Sequence, residues 1–188
     1  MRNKILIGII AIIILSLAGV FFSRFKTPAS NNLVVQDKNI RGEDGSGKIE
    51  EAGEVKKYTN SAYGFSFEYP KELTVGQFTD GAGESIVLQS AGSSARSGLQ
   101  IFISQVDAPV ELTPALIEKE LPGTAVKNAQ KIELDGKAKG IIFDSNNPAF
   151  DGKSAELWFY YSGSIYQVTS YPESAKQMVD IIGTWKFQ

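Results

Sequence analysis

Two kinds of hydrophobic patterning divide this chain, one continuous and one alternating. From Ile5 to Phe22, 18 residues run without a charge; thirteen are Ile, Leu, Val or Phe, and Ser16 is the one polar side chain. Coiled as a helix, such a run spans roughly 27 Å, close to the hydrocarbon thickness of a bilayer. It lacks the polar face of a helix packed on a soluble core. The pattern predicts a single transmembrane anchor over 5–22. A cleaved signal peptide is the competing reading, but the run ends in Val20-Phe21-Phe22 rather than in a small-residue cleavage site. Arg2 and Lys4 on one side and Arg24 and Lys26 on the other nearly balance the charge rule. With so few residues ahead of the run, residues 1–4 are expected in the cytoplasm and the rest outside.

Residues 23–57 have no apolar periodicity. They carry seven positive and six negative side chains among Ser, Asn, Gly and Pro. Such a stretch buries too little apolar surface to offset its ordering entropy, which predicts a disordered polar linker. Glu50, Glu51 and Glu54 read as part of a solvated spacer rather than an acidic docking patch.

Alternation begins at Tyr58, and 58–188 is predicted as the folded domain. Gly64–Tyr69 alternates small or polar with aromatic residues, the period-two signature of a half-buried strand. Ser85–Ser90 and Leu99–Val106 repeat it. Asn128–Leu134 and Lys137–Asp144 flank Asp135-Gly136, a type I′ hairpin signal, and Ala155–Tyr161 and Ile165–Tyr171 flank a second turn at Ser162-Gly163-Ser164. Thr113 suits a helix cap with Pro114 at the first position. Pro172 opens a last helix whose Ala175, Met178, Val179 and Ile182 share one face, with Gly183 as its stop. Trp185 and Phe187, two residues apart, are expected to pack back onto the sheet. Leu157–Tyr161 is apolar on both faces and predicts a central strand covered on both sides. The expected fold is therefore α+β, a mostly antiparallel sheet of about six to seven strands with helices on both faces, preceded by the transmembrane helix.

Composition narrows the chemistry. The chain has no cysteine and no histidine, which removes disulfides, thiolate nucleophiles, histidine bases and the usual zinc sites. A net charge of −2 offers nucleic acid no basic field. The loop from Asp144 to Gly152 is rich in hard oxygen donors, so Asp144, Asn146 and Asp151, with Asn147, are the calcium candidates. Pro148 stands where an EF-hand ligand belongs, and an ordinary hairpin loop explains the segment. Glu68 and Glu156 lie on strands where two acids of a glycosidase could face one another. Gly81-Ala-Gly83 and Gly92–Gly98 lack the lysine and serine of a phosphate loop and read as turns. Trp158, Tyr160, Tyr161, Tyr166 and Tyr171 concentrate aromatic surface that core packing accounts for.

Tyr63-Gly-Phe-Ser-Phe-Glu-Tyr-Pro70 resembles the opening strand of PsbP-like domains, and Ile181-Ile-Gly-Thr-Trp-Lys-Phe187 resembles the end of their final helix and the segment after it. The resemblance covers most of 58–188. It implies an αβα sandwich, usually tethered or exported and without demonstrated catalysis; the plant namesake is an extrinsic subunit of the oxygen-evolving photosystem. No functional residue is carried over, because the matched motifs form core. The expected function is a non-catalytic, membrane-tethered extracytoplasmic binding or assembly domain. Its expected partners are the bilayer through 5–22 and another membrane or surface protein, with no cofactor, no nucleic acid and a monomeric domain. The alternatives are a surface hydrolase using carboxylates on sugars or wall polymers, and an extrinsic subunit of a membrane complex binding calcium weakly.

Overall fold

The computed structural model describes residues 47–80, 82–90 and 97–188. The anchor expected over 5–22 and most of the expected linker lie outside them. Among the described residues no helix is long and apolar enough to cross a membrane.

Two antiparallel sheets and two short helices make up the described fold. A four-stranded sheet, in the order β1-β2-β3-β11, is built from β1 (Gly47–Ala52), β2 (Val55–Asn60), β3 (Phe65–Pro70) and β11 (Lys186–Phe187). The larger sheet comprises β4 (Leu73–Asp80), β5 (Gly83–Ser90), β6 (Leu99–Gln105), β7 (Lys127–Leu134), β8 (Ala138–Ser145), β9 (Ser154–Tyr161) and β10 (Ser164–Ser170). Its order is β4-β5-β6-β10-β9-β8-β7. Helix α1 (Pro114–Glu120) precedes β7, and α2 (Ala175–Gly183) follows β10.

The sandwich with helices on both faces is therefore corrected. The described chain has eleven strands in two sheets, and one face of the large sheet is covered chiefly by the second sheet. Helix α2 adds Met178, Ile181 and Ile182 to that interface, and α1 buries a single residue, Ile117. Neither forms a layer. The strands the alternation misses explain the difference. Residues 47–57, expected as linker, supply β1 and the start of β2 through cross-strand charge pairing. Glu51 lies opposite Lys56, with their charged atoms 3.0 Å apart. Strand β11 is two residues long and pairs with β3 from the far end of the described chain.

The core between the sheets is aromatic. Trp185 stacks on Phe65 with centroids 4.3 Å apart and meets Phe159 edge-on at 5.3 Å, while Phe187 stacks on Tyr161 at 3.8 Å. Both closing rings are thus buried against the sheet, as their spacing predicts. Asp135 holds this segment: its carboxylate accepts from Lys186 Nζ at 2.9 Å and from the Phe187 N–H at 3.1 Å. Those donors keep its pKa below the ordinary aspartate value.

Several local signals act as expected. Thr113 Oγ1 accepts from Leu116 N–H at 3.2 Å and caps α1. Asp135 and Gly136 both take positive φ, 51° and 65°, as a type I′ hairpin requires. Ser162 and Gly163 do the same at 45° and 82°. Helix α2 ends at Gly183 without a left-handed residue; instead Thr184 Oγ1 donates to Ile181 O at 2.7 Å and accepts from Glu68 N–H at 2.8 Å.

Candidate functional site

Residues paired across antiparallel strands point to the same face, so register alone sorts the large sheet. One face carries the row Ile101–Val168–Leu157–Ile142, which is apolar and turns to the second sheet. The other carries Phe102–Gln167–Trp158–Ile141 and, beside it, Gln100–Thr169–Glu156–Phe143. Polar groups thus interrupt the outer face at its centre, over strands β6, β10, β9 and β8.

Glu156 is the hub of that patch and is 3% exposed. Oε1 accepts from Ser154 Oγ at 2.7 Å and Asn147 Nδ2 at 3.3 Å. Oε2 accepts from Thr169 Oγ1 at 2.7 Å and Trp158 Nε1 at 3.1 Å. Ser154 and Trp158 reach it because residues two apart on a strand share a face; Thr169 is its partner on β10. Asn147 comes from the loop after β8, where Pro148–Phe150 form a 3-10 turn. Burial pushes the pKa of Glu156 above the ordinary glutamate value, and the four donors oppose that shift.

A cavity of about 60 Å³ lies over this patch. Its walls include Phe102, Phe143, Phe150 and Trp158, with Glu156 and Gln167 in the floor. Leu121 and Thr124, just past α1, and Asn147 and Pro148 complete the rim. Gln167 is 6% exposed, and its Nε2 has no hydrogen-bond partner.

The candidates read from the sequence take other places. Glu68 sits exposed on β3 in the small sheet, while Glu156 is buried in the large one, so the two acids are not brought together. Asp144 accepts from Asn128 Nδ2 at 2.7 Å. Asn146 ties the loop after α1, accepting from Ala125 N–H at 2.7 Å and donating to Gly123 O at 2.9 Å. Asp151 ends the 3-10 turn in a left-handed conformation. These three residues shape loops, and among the described residues no three acidic side chains gather as a metal site. The aromatic concentration divides: Trp158 and Tyr160 face outward, Tyr161 and Tyr166 face the second sheet, and Tyr171 packs on Phe150. Gln100, Gln167 and Thr169 drew no attention in the sequence. Their signal is a polar residue at every second position of strands otherwise apolar. The loops at Gly81–Gly83 and Gly92–Gly98 lie largely outside the described residues.

These features define a small two-sheet β-rich domain with an aromatic-walled cavity on the exposed side of its larger sheet. The chain belongs to the family of PsbP-like proteins, whose family model matches residues 6–184 and so reaches well ahead of the folded region. Among solved structures it is similar to cyanobacterial PsbP (CyanoP) from Synechocystis sp. PCC 6803. The match has a TM-score of 0.50 and 12% identity, and covers 73% of this chain and 95% of that one. At that identity the likeness concerns the fold. A comparison with curated proteins finds no match.

Proposed function

We propose that this chain is a non-catalytic binding domain working outside the cytoplasm, tethered at a membrane through residues 5–22, with the cavity over Glu156 as its recognition site. The observation that carries this reading is the state of Glu156. It is the only acid among the described residues lining the cavity, and its two oxygens are committed to four donors. A carboxylate has about four acceptor positions, so none is left for a substrate proton or an attacking water. A hydrolase of the two-acid kind also needs a second carboxyl facing the first, and Glu68 lies in the other sheet. Membership of the PsbP-like family supports the non-catalytic reading. The uncharged run of 5–22 and the short basic stretch before it support the location.

Two measurements test this. Alkaline phosphatase fused after Gln188 of the full chain is expected to be active, and activity only from a cytoplasmic reporter at that position would sink the location. The purified chain is expected to leave glycosidic substrates intact; turnover abolished by Glu156→Gln would make the protein an enzyme.

A further inference from the structure

We infer that the cavity over Glu156 and Gln167 takes a small uncharged amide group, with the amide carbonyl accepting from Gln167 Nε2 and its apolar end held among Phe102, Phe143, Phe150 and Trp158. This rests on the reading of the cavity as a recognition site and names the chemistry recognised.

Four observations converge on that group. The first is the unpartnered donor. A buried amide N–H without an acceptor is costly, so a ligand that supplies a carbonyl gains more there than at a solvated surface. Gln167 lies in the central strand β10, between Phe102 and Trp158 in register, so neighbouring strands fix its position.

The second is size. A cavity needs roughly 10–15 Å³ per water-sized sphere. The 60 Å³ found here therefore admits about four to six non-hydrogen atoms. Acetamide has four, and the acetamido arm of an N-acetyl sugar is the same group on a larger body.

The third is charge. An ammonium would look to Glu156, but each carboxylate oxygen already holds two donors. An anion would be brought against a buried acid without a cation among the cavity's lining residues. A neutral ligand meets neither obstacle. The fourth is the wall: aromatic faces favour a methyl or a flat amide plane over a fully hydrated polar group.

The test is a titration of the isotope-labelled full chain in detergent micelles, followed at the Gln167 side-chain amide and the Trp158 indole N–H. Probes are acetamide, N-acetylglucosamine, sodium acetate and methylammonium. Acetamide is expected to move both signals with a dissociation constant on the order of 10 mM, as so few atoms allow. N-acetylglucosamine binding at least tenfold tighter marks a sugar-borne group; equal or weaker binding marks a free small amide, and either supports the inference. Gln167→Leu is expected to weaken acetamide binding about tenfold. A nuclear Overhauser effect between the acetamide methyl and the Trp158 ring in the unaltered chain gives the same answer if the variant fails to fold. Acetate or methylammonium moving the signals while acetamide does not would overturn the amide assignment and leave a binding site standing. Silence from all four probes would mean that the cavity holds water only, and the inference fails; the substrate and reporter assays then judge the wider reading separately.

Discussion

The two faces of the large sheet use the same strands and obey opposite rules. Toward the second sheet, alternate residues are Ile101, Val168, Leu157 and Phe159, and aromatic rings from β3 and the 185–187 segment close over them. Toward the outside, the intervening residues of those strands are Gln100, Gln167, Thr169 and Glu156, and cover comes from a seven-residue helix and loops. Mutual burial of rings needs only area and fit. A buried carboxylate needs each oxygen served, and Glu156 recruits donors from two strands and a turn to do so. The first face is where folding free energy resides; the second is where the chain retains polar groups that folding alone does not call for.

Breaking the apolar face should have the largest effect. Trp185 is in ring contact with Phe65, Phe67, Phe159, Tyr166 and Phe187. Trp185→Ala is expected to cost about 3–5 kcal/mol, a large share of the roughly 5–15 kcal/mol available to a domain. The urea midpoint should fall steeply, and Lys176→Ala on the exposed side of α2 should leave it in place. If the two variants unfold together, the rings do not close the core.

Glu156→Ala comes next. It strands Trp158 Nε1, Thr169 Oγ1, Ser154 Oγ and Asn147 Nδ2, of which some can turn or take water. A loss of about 1–3 kcal/mol is expected, below that of the tryptophan. The specific readout is the Trp158 indole N–H resonance, which should move; an unchanged resonance would mean that the hydrogen bond to the acid is not made in solution.

Much of the apolar face was legible in the sequence because its signals are local. Period-two runs and turn pairs such as Asp135-Gly136 depend on neighbours in the chain, and so does the spacing of Trp185 and Phe187. The second sheet was not legible. Its β1 is a charged strand formed by pairing across a hairpin, and β11 joins β3 over more than a hundred residues. The site was half legible. An acid inside the strand 155–161 was visible as a candidate, yet its partners were misjudged, because which residues face Glu156 depends on the register of β10 and on the loop bearing Asn147. Glu68 shares a strand pattern with it but not a sheet.

The pH dependence sharpens the comparison through the same acid. Burial raises the folded pKa of Glu156 above the 4.5 of an exposed glutamate, so the native state holds the proton more tightly than the unfolded chain. This contribution to stability is complete below the unfolded value and is lost as pH rises through the folded one. Glu156→Gln removes the titration. Relative to that variant, the unaltered chain should lose stability as pH climbs from about 4.5, by at most about 1.4 kcal/mol per pH unit. Asp135, whose pKa is lowered, contributes the opposite slope at more acid pH in both chains and cancels in the difference. Parallel stability curves from urea titrations between pH 4 and 8 would show that burial does not shift this acid.

The smallest effect concerns two adjacent residues of β10 and separates the faces most sharply. Val168 is fully buried in the apolar row, and truncating it to alanine should cost about 2 kcal/mol. Gln167, one position earlier, faces the cavity with an unsatisfied amide nitrogen. Replacing it with leucine removes that unpaired donor while keeping most of the volume that packs between Phe102 and Trp158. The exchange should leave stability unchanged or raise it by up to about 1 kcal/mol. A residue retained at the expense of stability is retained for something outside the fold, which is what a recognition site predicts. Chemical denaturation of the two variants side by side decides it. If Gln167→Leu is as damaging as Val168→Ala, the amide is part of the packing, and the outer face is a second core rather than a site.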